Sequence, residues 1–224
     1  MNDFKKFAVS NGIGTNKLDG YSKYLLKNGH INPTILEERQ LNVVGIDVFS
    51  RLMYDKIIFL GTGIDSDVAN IVNAQLLYLN SISDKTDDIK MFINSGGGSV
   101  TDGLAIYDTM NFIDPDISTY CMGMAASMAS VLLSSGAKGK RYSLPHGSIM
   151  IHQVSNGIGR SQCADIQIMA EETKKVQDIL YKILSENTGK SFEQIEKDAD
   201  RDRWFTPEEA CQYGLIDNII TKTK

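Results

Sequence analysis

The chain has 224 residues, 42% hydrophobic and 23% charged, enough for one well-filled core of an ordinary globular protein. Its net charge of −5 excludes the basic surface that neutralising nucleic-acid phosphates would require. Three cysteines, Cys121, Cys163 and Cys211, lie far apart with no C-x-x-C pair, which points to neither a disulfide framework nor a zinc site. A reducing cytoplasm is the expected home.

Residues 1 to about 36 are polar and carry Gly12, Gly14, Gly20 and Gly29 without sustained periodicity, so a mobile tail or pro-segment is expected there. No apolar run of signal-peptide length follows Met1. Ordered structure is expected from a short helical patch over 48–53. A buried-strand pattern at 56–60 follows, then a helix with apolar face Val68, Ile71, Val72, Leu76 and Leu79, capped by Asp65 or Asp67. A second unit has a strand at 89–93 and a helix over 99–113, opened by Ser99-x-x-Asp102. A third has a strand at 117–121 and a helix over 127–135. Residues 117–137 carry no charge, but they are crowded with Ser, Gly, Ala and Thr, too weakly lipophilic for a membrane span.

Strands are expected at 140–144 and 149–153. A long helix over 164–187 comes next, with apolar positions Ile166, Met169, Val176, Ile179, Leu180, Ile183 and Leu184 and a stop at Gly189. Thr206-Pro207-Glu208-Glu209 combines N-cap, N1 proline and capping-box glutamate, Gly214 closes that helix, and 215–220 reads as a strand. Successive β-then-α units imply an α/β fold with largely parallel strands.

Three glycine clusters are candidates for chemistry. Gly61-Thr62-Gly63 precedes a helix, but Ser66 stands where a dinucleotide fingerprint needs its third glycine, and no acid ends the next strand. A plain turn is the better account. In Asn94-Ser95-Gly96-Gly97-Gly98-Ser99, three glycines let backbone approach a ligand and leave N–H groups for an anion, although a flexible turn would read the same way. A Walker-type lysine is absent from it. In Gly123-Met124-Ala125-Ala126-Ser127-Met128-Ala129, small residues surround one serine where a strand turns into a helix, as a nucleophile elbow requires. Close helix packing gives the same composition. Of the histidines, His30 lies in the tail and His146 in a turn after Pro145, whereas His152 ends the apolar run 149–151 and is either a base or a core histidine. Periodicity does not choose a carboxylate partner for it among 28 acids.

At these residues the sequence resembles the proteolytic subunits of the Clp protease (the ClpP family). Residues 119–129 resemble that family's nucleophile motif and 141–153 its histidine motif, and the likeness runs nearly gap-free from about Asn32 to Ile220. It includes 47–52, 93–95, 106–110 and Asp200-Arg201-Asp202-Arg203. The resemblance implies a crotonase-like α/β fold of repeated β-α units with a protruding handle helix, whose apolar stripe would face a partner subunit. It further implies Ser127 as nucleophile, His152 as base, Asp202 as orienting acid, and the N–H groups of Gly98 and Met128 as oxyanion hole. Asp200 and Arg201 would link rings.

The same resemblance implies self-association into heptameric rings and a tetradecamer, and an AAA+ unfoldase partner of ClpX or ClpA/ClpC type. Unfolded polypeptides are the implied substrates, and no cofactor or metal is expected. Residues 1–31 would be a propeptide and 32–224 the peptidase domain, with an axial segment over about 32–46. The family usually has proline at the positions of Gly96 and Val154, and the segment 154–162 is one residue longer than usual. A weakly active or structural ring subunit beside an active paralogue is the alternative reading.

Overall fold

The computed structural model describes residues 34–39, 42–82, 87–157 and 159–221. The expected propeptide and His30 lie outside them. The chain divides into a unit ending at Leu52 and one beginning at Met53. The first holds an antiparallel hairpin, β1 (Thr34–Arg39) and β2 (Asn42–Asp47), which leads into α1 (Val48–Tyr54). Order therefore begins before the helical patch at which the sequence places it. Asp47 receives the Ser50 amide and hydroxyl, a side-chain turn that starts α1.

The second unit carries the β-α repeats: β3 (Ile57–Leu60), α2 (Ser66–Ile82), β4 (Ile89–Ser95), α3 (Val100–Phe112), β5 (Ile117–Ala126) and α4 (Met128–Ser134). Asp65 accepts from the Val68 amide at 2.9 Å and so is the cap of α2. Ser99 caps α3 through the Asp102 amide. Strand order is β3-β4-β5, all parallel, with Ile58, Leu60, Ile89, Met91, Ile93 and Cys121 nearly sealed from solvent. Burial alternates along β3 and β4, so one face of these strands packs into the core while Lys90 and Asn94 on the other stay exposed.

After β5 the sheet forks. β6 (Arg141–Ser143) pairs with the first half of β5, and β7 (Ser148–Ile151) pairs with its last three residues. Between them β5 bulges: Ile93 faces Cys121, yet Ser95 faces Ala125, so four residues of β5 match two of β4. Gly123, at φ 88°, makes this step, where a β-carbon would meet the Asn94 carboxamide at 2.8 Å.

The rest of the chain is α5 (Cys163–Thr188), α6 (Phe192–Asp198), β8 (Arg203–Phe205), α7 (Pro207–Tyr213) and β9 (Asn218–Ile219). The capping box at Thr206/Glu209 and the left-handed stops at Gly189 and Gly214 are present. α5 corrects one expectation. Its apolar stripe does not simply face outward, since Leu180, Ile183 and Leu184 belong to this chain's own core, while Ile166, Ile168 and Ile179 stay exposed. A buried ion pair locks this corner: Arg141, with 3% of its side chain exposed, grips Asp217 through two nitrogens and donates to the Ser134 and Asn187 carbonyls. No helix among the described residues is long and apolar enough to cross a membrane.

Candidate active site

The fork in the sheet assembles the site. Because β5 shifts from β6 to β7, the Ser127 amide donates to the Met150 carbonyl at 2.9 Å, so Ser127 lies beside the end of β7. His152 is the first residue past that end. β8 runs antiparallel to β7 with Ile151 opposite Arg203, which brings the preceding residue, Asp202, next to His152. Three residues far apart in sequence thus meet at neighbouring strand ends. Ser127 Oγ is 2.8 Å from His152 Nε2, and His152 Nδ1 is 3.0 Å from Asp202 Oδ1. His152 is a quarter exposed and Asp202 61% exposed.

Ser127 is held in an unusual state. It occupies φ 56°, ψ −127°, a conformation that costs a non-glycine residue on the order of 1–3 kcal/mol and persists only where surroundings enforce it. It is also the N-cap residue of α4, yet its hydroxyl caps no helix amide. A serine there normally gives its oxygen to the helix. Here the oxygen is left for His152.

The glycine loop faces this turn. Gly97 sits at φ 88°, and a β-carbon on it would lie 2.6 Å from the Ala126 carbonyl, 2.7 Å from Ser127 Cβ and 2.9 Å from the Met128 nitrogen. Only glycine allows that approach. The loop is tied by Ile64, whose amide donates to the Gly97 carbonyl at 2.9 Å and whose carbonyl accepts from Ser99 at 2.8 Å. Within a trans peptide the C=O and N–H point oppositely, so fixing the Gly97 carbonyl toward Ile64 turns the Gly98 N–H away from it. Gly98, Ser127, Met128 and His152 line one cavity, whose floor includes Val131, Ile151, Val154, Leu180, Tyr181 and Leu184. Burial in this wall pushes the Tyr181 hydroxyl above its ordinary pKa. The Met128 N–H, first of α4, has no intrahelical acceptor.

The chain can be placed against known proteins. A family model described as Clp protease matches residues 40–223. The chain belongs to the Clp protease family. Curated relatives include the "ATP-dependent Clp protease proteolytic subunit" of Porphyromonas gingivalis, 53% identical over 225 residues and the full length of both chains. Proteins of the same name match from Bacteroides fragilis strain YCH46, at 53% identity, and Bacteroides thetaiotaomicron, at 51%, each over 99% of this chain and all of the relative. This Clp protease chain is accordingly a Clp-type serine endopeptidase, and the α/β fold is the one its motifs led us to expect.

Of the residues singled out in this Clp protease chain, Ser127, His152 and Asp202 meet, and Gly98 and Met128 flank the same cavity. Asp200 and Arg201 point into solvent, 69% and 88% exposed, with 3.8 Å between charges. Gly61 and Gly63 flank a bend at Thr62 that leads into Ile64, whose backbone bridges Gly98. Sequence reasoning missed Ser95, whose buried Oγ accepts from the Gly97 amide at 3.1 Å, and Gln153, whose Nε2 donates to the Asp200 carbonyl at 2.6 Å. The Asn-Ser pair before three glycines was a signal for the first; nothing local signalled the second.

Proposed function

We propose that this chain hydrolyses peptide bonds through an acyl-enzyme on Ser127. His152 takes the Ser127 proton as Oγ attacks the carbonyl carbon, and returns it to the leaving amine. Asp202 holds the imidazole with Nδ1–H directed at its carboxylate and stabilises the cation that forms. The Gly98 and Met128 N–H groups receive the carbonyl oxygen as it gains charge. Water, deprotonated by His152, then releases the acid product and restores Ser127. The observation that carries this reading is the continuous Ser127–His152–Asp202 hydrogen-bond chain around a serine strained out of its capping role. Gly96 does not favour the structural-subunit alternative, because the loop on either side of it stays tied by Ile64 and Ser95.

The working form is a set of heptameric rings stacked as a tetradecamer, fed with unfolded polypeptide by an AAA+ unfoldase of ClpX or ClpA/ClpC type in the cytoplasm. Relatives named as proteolytic subunits of an ATP-dependent protease support this, as do the exposed Ile71, Phe112 and Ile168, apolar surface suited to neighbouring copies. Asp200 and Arg201 would join rings, residues 1–31 would be removed on maturation, and about 32–46 would form the axial segment. The test is covalent labelling by a fluorophosphonate with turnover of a short fluorogenic peptide. The wild type should label at Ser127, and Ser127→Ala should lose labelling and, on the order of a million-fold, turnover. Turnover of the variant within tenfold of wild type overturns the assignment.

A further inference from the structure

Asp202 is a poorly held carboxylate for the role proposed above. More than half of it is exposed, and among the described residues its one partner is His152. Exposed pairs are weak and leave side chains free to sample rotamers, so such a bond does not by itself hold an imidazole in register. The backbone bearing Asp202 must supply the precision.

That backbone is gripped on both sides. On the N-terminal side, Gln153 donates to the Asp200 carbonyl. On the C-terminal side, Arg203 pairs with Ile151 across β7 and β8. The residue before His152 therefore holds the one after Asp202, and the residue after His152 holds the one two before Asp202. The turn is also closed on itself. The Arg203 guanidinium binds Asp198, the last residue of α6, so an ion pair spans residues 199–202. Asp198 is nearly buried and has further donors, Gln194 Nε2 at 2.7 Å and the Tyr213 hydroxyl at 2.8 Å. Although burial alone would raise it, these donors and the guanidinium keep its carboxyl below the ordinary range, and so charged toward Arg203. Arg203 also lies against a pair of touching rings, its guanidinium carbon 5.0 and 5.1 Å from the Phe205 and Tyr213 ring centres, which are 4.9 Å apart.

We infer that Asp198, Arg203 and Tyr213, with Gln153 opposite, are positioning residues that fix the turn carrying Asp202 so that its carboxylate meets His152. The inference rests on Asp202 being the orienting acid. A bland function, tying the end of α6 to α7, would leave the same contacts in place but would not act through Asp202.

A double-mutant cycle separates the two. Asp198→Asn removes the charge and keeps the shape; Tyr213→Phe removes one hydroxyl and keeps the ring, and serves if the first variant does not fold. Each is made in the wild-type and Asp202→Asn backgrounds of the full chain, with melting temperature, kcat and KM measured on a fluorogenic peptide. Displacing the acid should lower kcat about 10- to 100-fold in the wild-type background with KM within about twofold, since a misplacement of roughly 1 Å costs that much. In Asp202→Asn, no further fall is expected. A purely structural tie instead lowers kcat by the same factor in both backgrounds, and that result overturns the inference, as does unchanged kcat in Asp198→Asn and Tyr213→Phe beside an impaired Asp202→Asn. Unchanged kcat in Asp202→Asn itself would defeat the reading of Asp202, and this inference with it.

Discussion

Two adjacent glycines offer a sharp test of how the loop over 96–98 works. Gly97→Ala places a β-carbon 2.6 Å from the Ala126 carbonyl and 2.7 Å from Ser127 Cβ, where ordinary contact begins at 3.4 Å, so about 0.8 Å of separation must be found. The close groups include backbone of the strained serine turn, which has little freedom to yield. The loop would have to back away instead, carrying the Gly98 N–H with it. Left-handed φ in alanine adds on the order of 1–2 kcal/mol against the native loop. Losing one oxyanion donor costs about 100- to 1,000-fold in kcat. Gly96→Ala is the control: nothing lies within 4 Å of its β-carbon. We expect Gly97→Ala to lose that factor in kcat while staying folded, and Gly96→Ala to keep wild-type turnover. Peptide turnover and thermal unfolding of both variants decide it. If Gly97→Ala retains kcat within threefold, or both variants fall equally, the loop does not aim the Gly98 N–H as described.

Asp217→Ala should destabilise by about 3–5 kcal/mol, because Arg141 would be left buried with carbonyls alone; denaturant unfolding measures it. Burial tends to raise the Asp217 pKa, but Arg141 outweighs that and holds it below the ordinary carboxylate value, so the pair's stabilisation is complete above about pH 4 and disappears as pH falls through the depressed value. Acid titration of Tm should therefore be steeper for wild type than for Asp217→Asn. Burial pushes the Cys121 thiol up to about 11, so at pH 8 only about one molecule in a thousand carries the thiolate, and alkylation should reach it only after unfolding. Arg201→Ala should shift assemblies toward single rings and depress turnover together, read by sedimentation and peptide assay; a double ring with normal turnover would make Arg201 mere surface charge.

What the sequence made legible was what local chemistry decides. Asp65, Ser99 and the Thr206/Glu209 box mark helix starts because a cap needs only a few neighbouring residues. The serine and histidine segments stood out for the same reason: small residues at a strand–helix turn, and an apolar run ending in histidine. α6 and β8 were not foreseen. α6 buries Ile195 alone, and β8 is three residues whose strand character comes from lying against β7. Asp202 came only from resemblance, since it lies on a turn without periodicity. The bulge in β5, Gln153 on Asp200 and the grip on Asp198 are tertiary facts, written in which elements meet.

The long helix α5 carries a consequence of its uneven burial. It spans 26 residues, about 39 Å, yet its buried residues begin at Leu180, and from Cys163 to Ile168 every residue is exposed. A helical stretch that short is marginal in water by itself. In an isolated subunit its amide protons should therefore exchange with solvent along a gradient, fast near Cys163 and slow beyond Leu180. Whatever covers Ile166 and Ile168 in the assembled particle would flatten that gradient, so deuterium uptake at this one helix becomes a gauge of how much of the protein is assembled.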